Sequence, residues 1–168
     1  MLVVAALQAT AQNLTKHGVL RLNVRSFGPI IQDDQVRGYY FFYNVDKRDP
    51  QNNTYLLSLY DENLREVNTE EIIRPKTYTL IDGVFNGEAF AFLFFDFRAR
   101  RTELVTYDRS LKRIGNVIRL ISNKSMLSSY RAIVNGAEAS QAFVVPLTNK
   151  GFLYYGLRDD SKFKYEIH

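Results

Sequence analysis

The chain has 168 residues, of which 46% are apolar and 24% charged, as in ordinary globular domains. Cysteine is absent, which excludes disulfides, thiolate metal sites and cysteine nucleophiles. The only two histidines, His17 and His168, lie near the ends of the sequence, so we expect no histidine-based triad or metal cluster. We therefore predict no cysteine- or histidine-based catalytic residues, no metal and no cofactor.

The first residues carry the pattern of an export signal. An apolar run from Leu2 to Leu7 leads into Ala9-Thr10-Ala11, and signal peptidase requires small side chains at the first and third of these positions. No Lys or Arg precedes the run, so we expect the charged start of the signal to lie upstream of Met1. Residues 1–11 are therefore predicted to be a signal-peptide remnant. Residues 12–168 are predicted to be a domain exported to the periplasm, the cell surface or the medium.

Three stretches predict strands. Val19–Phe27 alternates apolar and polar residues with the period of a half-buried strand. Tyr39–Tyr43 and Phe90–Phe95 are continuous apolar runs, which are typical of strands buried on both faces. The predicted fold class is all-β.

Helical signals are few. Asn68–Ile73 predicts a single helical turn, with Asn68 or Thr69 as its N-cap and Pro75 as its stop. Ser122–Asn135 predicts one short helix.

An internal repeat is the most informative feature of the sequence. Leu57–Val67 and Leu104–Ile114 share the pattern apolar-x-x-Tyr-Asp-x-x-Leu-x-x-apolar, and the second copy begins 47 residues after the first. Aspartate favours the start of a tight turn because its carboxylate accepts a hydrogen bond from an amide two residues on. Each copy therefore predicts a β-hairpin.

A second recurring element precedes each Tyr-Asp hairpin. It consists of a strand, a turn containing glycine and an aromatic strand. Its copies are Ile30–Tyr43 with Gly38, Thr79–Phe95 with Asn86-Gly87, and Phe143–Leu157 with Gly151. The order predicts two full units and the start of a third, which ends within a strand at Phe163–His168.

Units of about 45–50 residues built from successive antiparallel strands resemble the blades of a β-propeller. The resemblance covers Phe27 to His168. In its overall sequence pattern the chain is also similar to exported bacterial repeat proteins of uncharacterised function. It implies an antiparallel meander of repeated hairpins forming a partial propeller, with a small β-sandwich as the alternative. Because propellers have four to eight blades, we expect the chain to be part of a longer protein.

The excess positive charge is concentrated between Asp96 and Arg119, a segment that contains seven basic and three acidic residues. This segment predicts a basic edge that binds an anionic glycan or a protein partner at the cell surface. Aromatic residues beside the glycine turns are further candidate ligand contacts because we expect them to stay partly exposed. The candidate ligand-binding residues are Arg98, Arg100, Arg101, Arg113, Tyr39, Tyr154 and Tyr155. No nucleic-acid motif and no transmembrane segment is present in the sequence.

Paired carboxylates give little support for an enzyme. The adjacent acids, such as Asp33-Asp34, lie in predicted turns or would point to opposite faces of a strand. Asp96 is more unusual because it follows a fully apolar strand, where its carboxylate must reach water, a backbone donor or an arginine such as Arg98. We interpret it as a structural group.

Three functions remain open from the sequence. The first is an exported, non-enzymatic binding or scaffold module. The second is the amino-terminal part of a larger exported hydrolase that acts on glycans or peptides. The third is a structural protein that self-associates through unpaired sheet edges.

Overall fold

The structure is a computed structural model that describes residues 15, 17, 19–45, 49–122, 124–135, 143–157 and 165–167. The predicted signal-peptide remnant, residues 1–11, lies outside the described residues. So does the side chain of Tyr155.

The described residues form eleven strands and one helix. The first sheet contains β1 (Val19–Gln32), β2 (Gln35–Val45), β3 (Asn52–Asp61) and β4 (Glu66–Pro75). The second contains β5 (Tyr78–Phe85), β6 (Ala89–Asp96), β7 (Arg101–Asp108) and β8 (Arg113–Leu120). Helix α1 (Lys124–Val134) leads to a third sheet of β9 (Val144–Leu147), β10 (Gly151–Leu157) and β11 (Tyr165–Ile167).

All strand pairs are antiparallel and join strands that are adjacent in the chain. The predicted all-β meander of hairpins is therefore confirmed, and the short helix predicted within Ser122–Asn135 is present as α1.

The helical turn predicted at Asn68–Ile73 is wrong. These residues belong to β4 and pair with β3, Ile72 opposite Tyr55 and Asn68 opposite Leu59. The expected N-cap, Asn68, instead accepts a hydrogen bond from the amide of Thr69 at 2.9 Å. Burial of Ile72 in the core outweighs the weak local helix signal because β-branched residues also suit a paired strand.

The two copies of the Tyr-Asp pattern form matching turns between β3 and β4 and between β7 and β8. Asp61 Oδ1 accepts hydrogen bonds from the amides of Asn63 and Arg65 at 2.9 and 2.8 Å. Asp108 Oδ1 accepts them from Ser110 and Lys112 at 2.8 and 2.9 Å. The hydrogen bonds lower the pKa of Asp108, most strongly the one from the Ser110 hydroxyl.

Strand β6 of the second sheet is buried on both faces. Phe90, Phe92 and Phe94 point towards the first sheet, and the ring of Phe92 stacks on that of Phe42 with centroids 4.0 Å apart. The intervening residues of β6, such as Leu93, pack on the opposite side against α1 and the third sheet. This double burial explains why Phe90–Phe95 is apolar without alternation.

The first strands of the three sheets are neighbours. β1 lies against β5, and β5 lies against β9. Asp82, in a bulge of β5, is 1% exposed and accepts hydrogen bonds from the amides of Phe143 and Val144 at 2.8 and 3.2 Å. These hydrogen bonds thus link the third sheet to the second.

Candidate functional site

The candidate site is the connection between β6 and β7, Phe97–Arg101, called here the basic turn. Phe97, Arg98 and Arg100 are exposed, while Arg101 is half-buried at the start of β7. Within the described part of the chain, neither Arg98 nor Arg100 forms an ion pair. Both guanidinium groups are therefore available to an anion.

Asp96 fixes the backbone of this turn. Its Oδ1 accepts hydrogen bonds from the amides of Arg98 and Ala99 at 3.1 and 3.2 Å, and its Oδ2 lies 3.5 Å from Nε of Arg101. The carbonyl of Arg100, a residue with a φ of 52°, accepts a hydrogen bond from the amide of Ile121 at 2.7 Å. Asp96, which is expected to reach water, a backbone donor or an arginine, contacts both backbone donors and an arginine. Its charged partner is Arg101 rather than Arg98.

Arg101 is held in place from a second direction. Its Nη2 donates a hydrogen bond to the hydroxyl of Tyr78 at 2.6 Å, and its guanidinium carbon lies 5.8 Å from the centroid of that ring. The hydrogen bond raises the pKa of Arg101, so the side chain stays charged at any physiological pH. The turn thus combines one oriented cation with two exposed ones.

Arg113 lies apart from the other three arginines. It pairs with Tyr107 at the beginning of β8, whereas Arg101 pairs with Leu120 at the end of that strand. At about 3.4 Å per residue this places Arg113 and Arg101 roughly 20 Å apart. Nη2 of Arg113 is 3.2 Å from Oε1 of Glu103. The four arginines therefore do not form one site, because the sheet separates residues that a linear count of charges groups together.

The three tyrosines also differ from one another. Tyr39 is half-buried on β2. Tyr154 is 1% exposed, so the expectation that it stays partly exposed is wrong. Its strand packs on the second sheet, and its hydroxyl is 2.5 Å from Oγ1 of Thr102. Tyr154 is thus a core residue beneath the start of β7 rather than a surface contact.

Sequence reasoning missed one basic residue near the turn. The amide of Phe97 donates a hydrogen bond to the carbonyl of Thr77 at 3.1 Å, which brings the β4–β5 connection beside the basic turn. The exposed Lys76 precedes Thr77 and adds a positive charge there. The sequence does not indicate that Lys76 belongs to this site, because only the pairing of β5 with β6 brings it close to the basic turn.

Glu103 forms a second polar cluster, between the first two sheets. The carboxylate lies 3.8 Å from Nη2 of Arg74 and also accepts a hydrogen bond from Asn116 at 3.3 Å. Because Glu103 is 5% exposed and Arg113 is its other partner, we interpret the cluster as a structural tie.

In the part of the chain that the structure describes, no group of three or more His, Asp or Glu side chains is arranged to hold a metal ion. Nor does that part contain a helix of the length and apolarity needed to cross a membrane.

A family model matches residues 1–168, the whole of the sequence. The chain belongs to a family of unknown function, DUF6770. No curated protein matches the chain, and no solved structure does. The membership gives no activity, so the functional argument depends on the residues themselves.

Proposed function

We propose that the protein is an exported, non-enzymatic binding or scaffold module whose basic turn binds an anionic ligand. The observation that carries this proposal is the density of charge on a fixed backbone: three arginines within four residues, with Asp96 holding the turn through two amides. A turn held in this way loses little conformational entropy when it binds a ligand. Export is proposed from the Leu2–Ala11 pattern alone.

The ligand class follows from the chemistry of the turn. Guanidinium groups bind sulfate, phosphate and carboxylate groups through paired hydrogen bonds, so an anionic glycan or an acidic protein segment fits. We further propose that the sheets are propeller-like repeats. The adjacent first strands β1, β5 and β9 support this proposal, because the innermost strands of neighbouring propeller blades meet around a common axis.

The contacts of the buried carboxylates favour a non-enzymatic role over a hydrolase. Asp82 and Asp96 each accept backbone hydrogen bonds, and Glu103 is engaged by Arg74 and Arg113. Hydrolysis of a glycan needs two carboxyl groups that face each other across a cleft, whereas these three carboxylates are each engaged by contacts within the fold.

The test measures binding of heparin, used as a sulfated-glycan probe, by titration calorimetry. The double variant Arg98→Ser/Arg100→Asn removes both exposed charges, and Asn tolerates the left-handed conformation of position 100. The matched control, Arg65→Ser/Lys112→Asn, removes two exposed charges from the turns at the other end of the sheets. We expect the basic-turn variant to weaken binding about tenfold, since two exposed ion pairs contribute roughly 1.4 kcal/mol together.

Two results would contradict the proposal. An equal loss in both double variants would mean that net charge rather than the basic turn attracts the glycan. Release of reducing ends from the bound glycan would favour the hydrolase.

A further inference from the structure

The basic turn carries an exposed aromatic ring. Among the aromatic side chains that the structure describes, only Phe27 and Phe97 are exposed, at 39% and 44%. The Phe27 ring stacks on that of Phe41, with centroids 5.7 Å apart. In the described part of the chain, no other ring stacks on Phe97 and no guanidinium or ammonium group lies over it. Phe97 thus presents an aromatic surface that no other aromatic or cationic group covers.

A phenylalanine is unusual in a connection of this length. Asp96 pairs with Arg101, so four residues join β6 to β7, and short turns favour Gly, Pro, Asn, Asp and Ser. Asp96 and Thr77 hold the backbone, the first through two amides of the turn and the second through the amide of Phe97 itself. The Phe97 side chain belongs to neither of the two core clusters. The ring therefore serves neither the geometry of the turn nor these clusters.

The residues beside this ring are cationic. Arg98 follows Phe97 directly and Arg100 lies two positions further on, and both are exposed without an ion pair in the part of the chain that the structure describes. Asp96, the nearest acid in the sequence, is 4% exposed and contacts Arg101 and the amides of the turn. Its charge is balanced by Arg101, which leaves the charges of Arg98 and Arg100 uncompensated. The turn thus combines an apolar ring with two uncompensated cations within four residues.

This combination suits a ligand that is apolar on one face and anionic at its edge. A sulfated pyranose has that form, because C–H groups line a face of the ring and the sulfate groups project from its rim. The face of an aromatic ring carries partial negative charge and attracts such C–H groups, while guanidinium groups bind sulfate through paired hydrogen bonds. The carboxylates of an acidic protein segment lie on flexible side chains that offer no flat apolar face.

We propose that the ligand of the basic turn is a sulfated glycan, with one pyranose ring packed on Phe97 and its sulfate groups bound by Arg98 and Arg100. This inference rests on the proposed function, because it identifies the ligand of the same turn. It adds that part of the affinity comes from the sugar ring and not from charge. A sulfated polymer without sugar rings should therefore bind the arginines and gain nothing from Phe97.

The test compares two polyanions by titration calorimetry: heparin, and poly(vinyl sulfate), which carries sulfate groups but no sugar rings. Phe97→Leu keeps an apolar side chain and removes the flat ring, whereas the matched control, Phe97→Tyr, keeps the ring. Both variants should fold, because the side chain is exposed and the amide of position 97 is retained. We expect Phe97→Leu to weaken heparin binding about fivefold and to leave poly(vinyl sulfate) binding unchanged. Phe97→Tyr should bind both polyanions as the parent chain does.

The arginine variant separates failure of this inference from failure of the proposed function. Arg98→Ser/Arg100→Asn should weaken the binding of both polyanions. If it does so while Phe97→Leu weakens neither, the basic turn binds anions but the sugar ring does not contact Phe97, and this inference is overturned alone. An equal loss of both polyanions in Phe97→Leu would also overturn it. So would tighter binding of poly-L-glutamate than of heparin by the parent chain, since the ligand would then be an acidic protein segment.

Discussion

Substitution of Asp82 by alanine tests how the third sheet is attached. The carboxylate is 1% exposed and accepts amide hydrogen bonds from Phe143 and Val144, and its other oxygen accepts one from Gly83 at 3.0 Å. Three amide bonds of this kind compensate a carboxylate for the loss of its hydration. Alanine provides no acceptor and leaves the amides of β9 and its preceding residue facing a cavity.

The expected loss of stability is large. Each buried amide left without a partner costs about 1–3 kcal/mol, so the two that tie β9 to β5 predict a loss of about 4 kcal/mol. Domains of this kind are stable by about 5–15 kcal/mol, so the variant should unfold at a clearly lower denaturant concentration. Asp82→Asn keeps one acceptor oxygen and should lose about half as much.

The assay is urea unfolding followed by near-ultraviolet circular dichroism, which reports on the packed tyrosines. Asp61→Ala is the matched control, because Asp61 also accepts two amide bonds but lies in a turn where water can replace it. We expect the control to lose about 1 kcal/mol. Equal losses for Asp82→Ala and Asp61→Ala would refute the argument that burial makes the carboxylate essential.

Two further predictions concern buried hydroxyl groups. Burial raises the pKa of Tyr40 to about 12, so between pH 10 and 12 the unfolded chain loses this proton before the folded chain does. The free energy of unfolding should therefore fall by about 1.4 kcal/mol per pH unit in that range. Urea unfolding measured across the same range should show a shallower fall for Tyr40→Phe. Thr102→Val removes one hydrogen-bond partner of the buried Tyr154 hydroxyl and should cost about 1–2 kcal/mol by urea unfolding. Thr106→Val, at a half-buried side chain, should cost less than about half of that. Equal effects of the two threonine variants would show that the buried bond contributes nothing.

Features set by local chemistry could be predicted from the sequence. The Tyr-Asp turns form because Asp61 and Asp108 satisfy amides within four residues of themselves. The run Phe90–Phe95 lacks alternation because both of its faces are covered. Each of these signals lies within a short window of the sequence.

Features set by pairing between distant strands could not be predicted. The sequence grouped Arg113 with Arg98, yet the register of β8 places Arg113 at the far end of the sheet. The partial exposure predicted for Tyr154 is wrong because its hydroxyl forms a hydrogen bond with Thr102, 52 positions earlier in the chain. The helical turn predicted at Ile72 is wrong because the residue opposite it in β3, Tyr55, lies 17 positions earlier in the chain. In each case the deciding contact is long-range.

The register also extends the repeat further than the sequence pattern does. Val105 pairs with Phe92, and its counterpart Ser58, 47 residues earlier, pairs with Phe41, so Phe41 corresponds to Phe92. The spacing between these two phenylalanines is 51 residues because the segment between the last paired residues of β2 and β3, Val45 and Thr54, is four residues longer than the one between Asp96 and Arg101. A repeat search at one fixed period therefore misses the match.

This correspondence relates the faces of the two sheets. The Phe92 and Tyr107 rings, with centroids 6.2 Å apart, form part of the face that the second sheet packs against the first. The equivalent pair, Phe41 and Tyr60, has centroids 5.4 Å apart and lies on the first sheet's other face, since the Phe42 side of β2 is the one that meets the second sheet. The first sheet thus presents, on its far side, the ring pair that its successor uses for packing. This order of equivalent faces is the one that the proposed propeller-like repeats require, whereas each sheet of a two-layer sandwich has only one packing face.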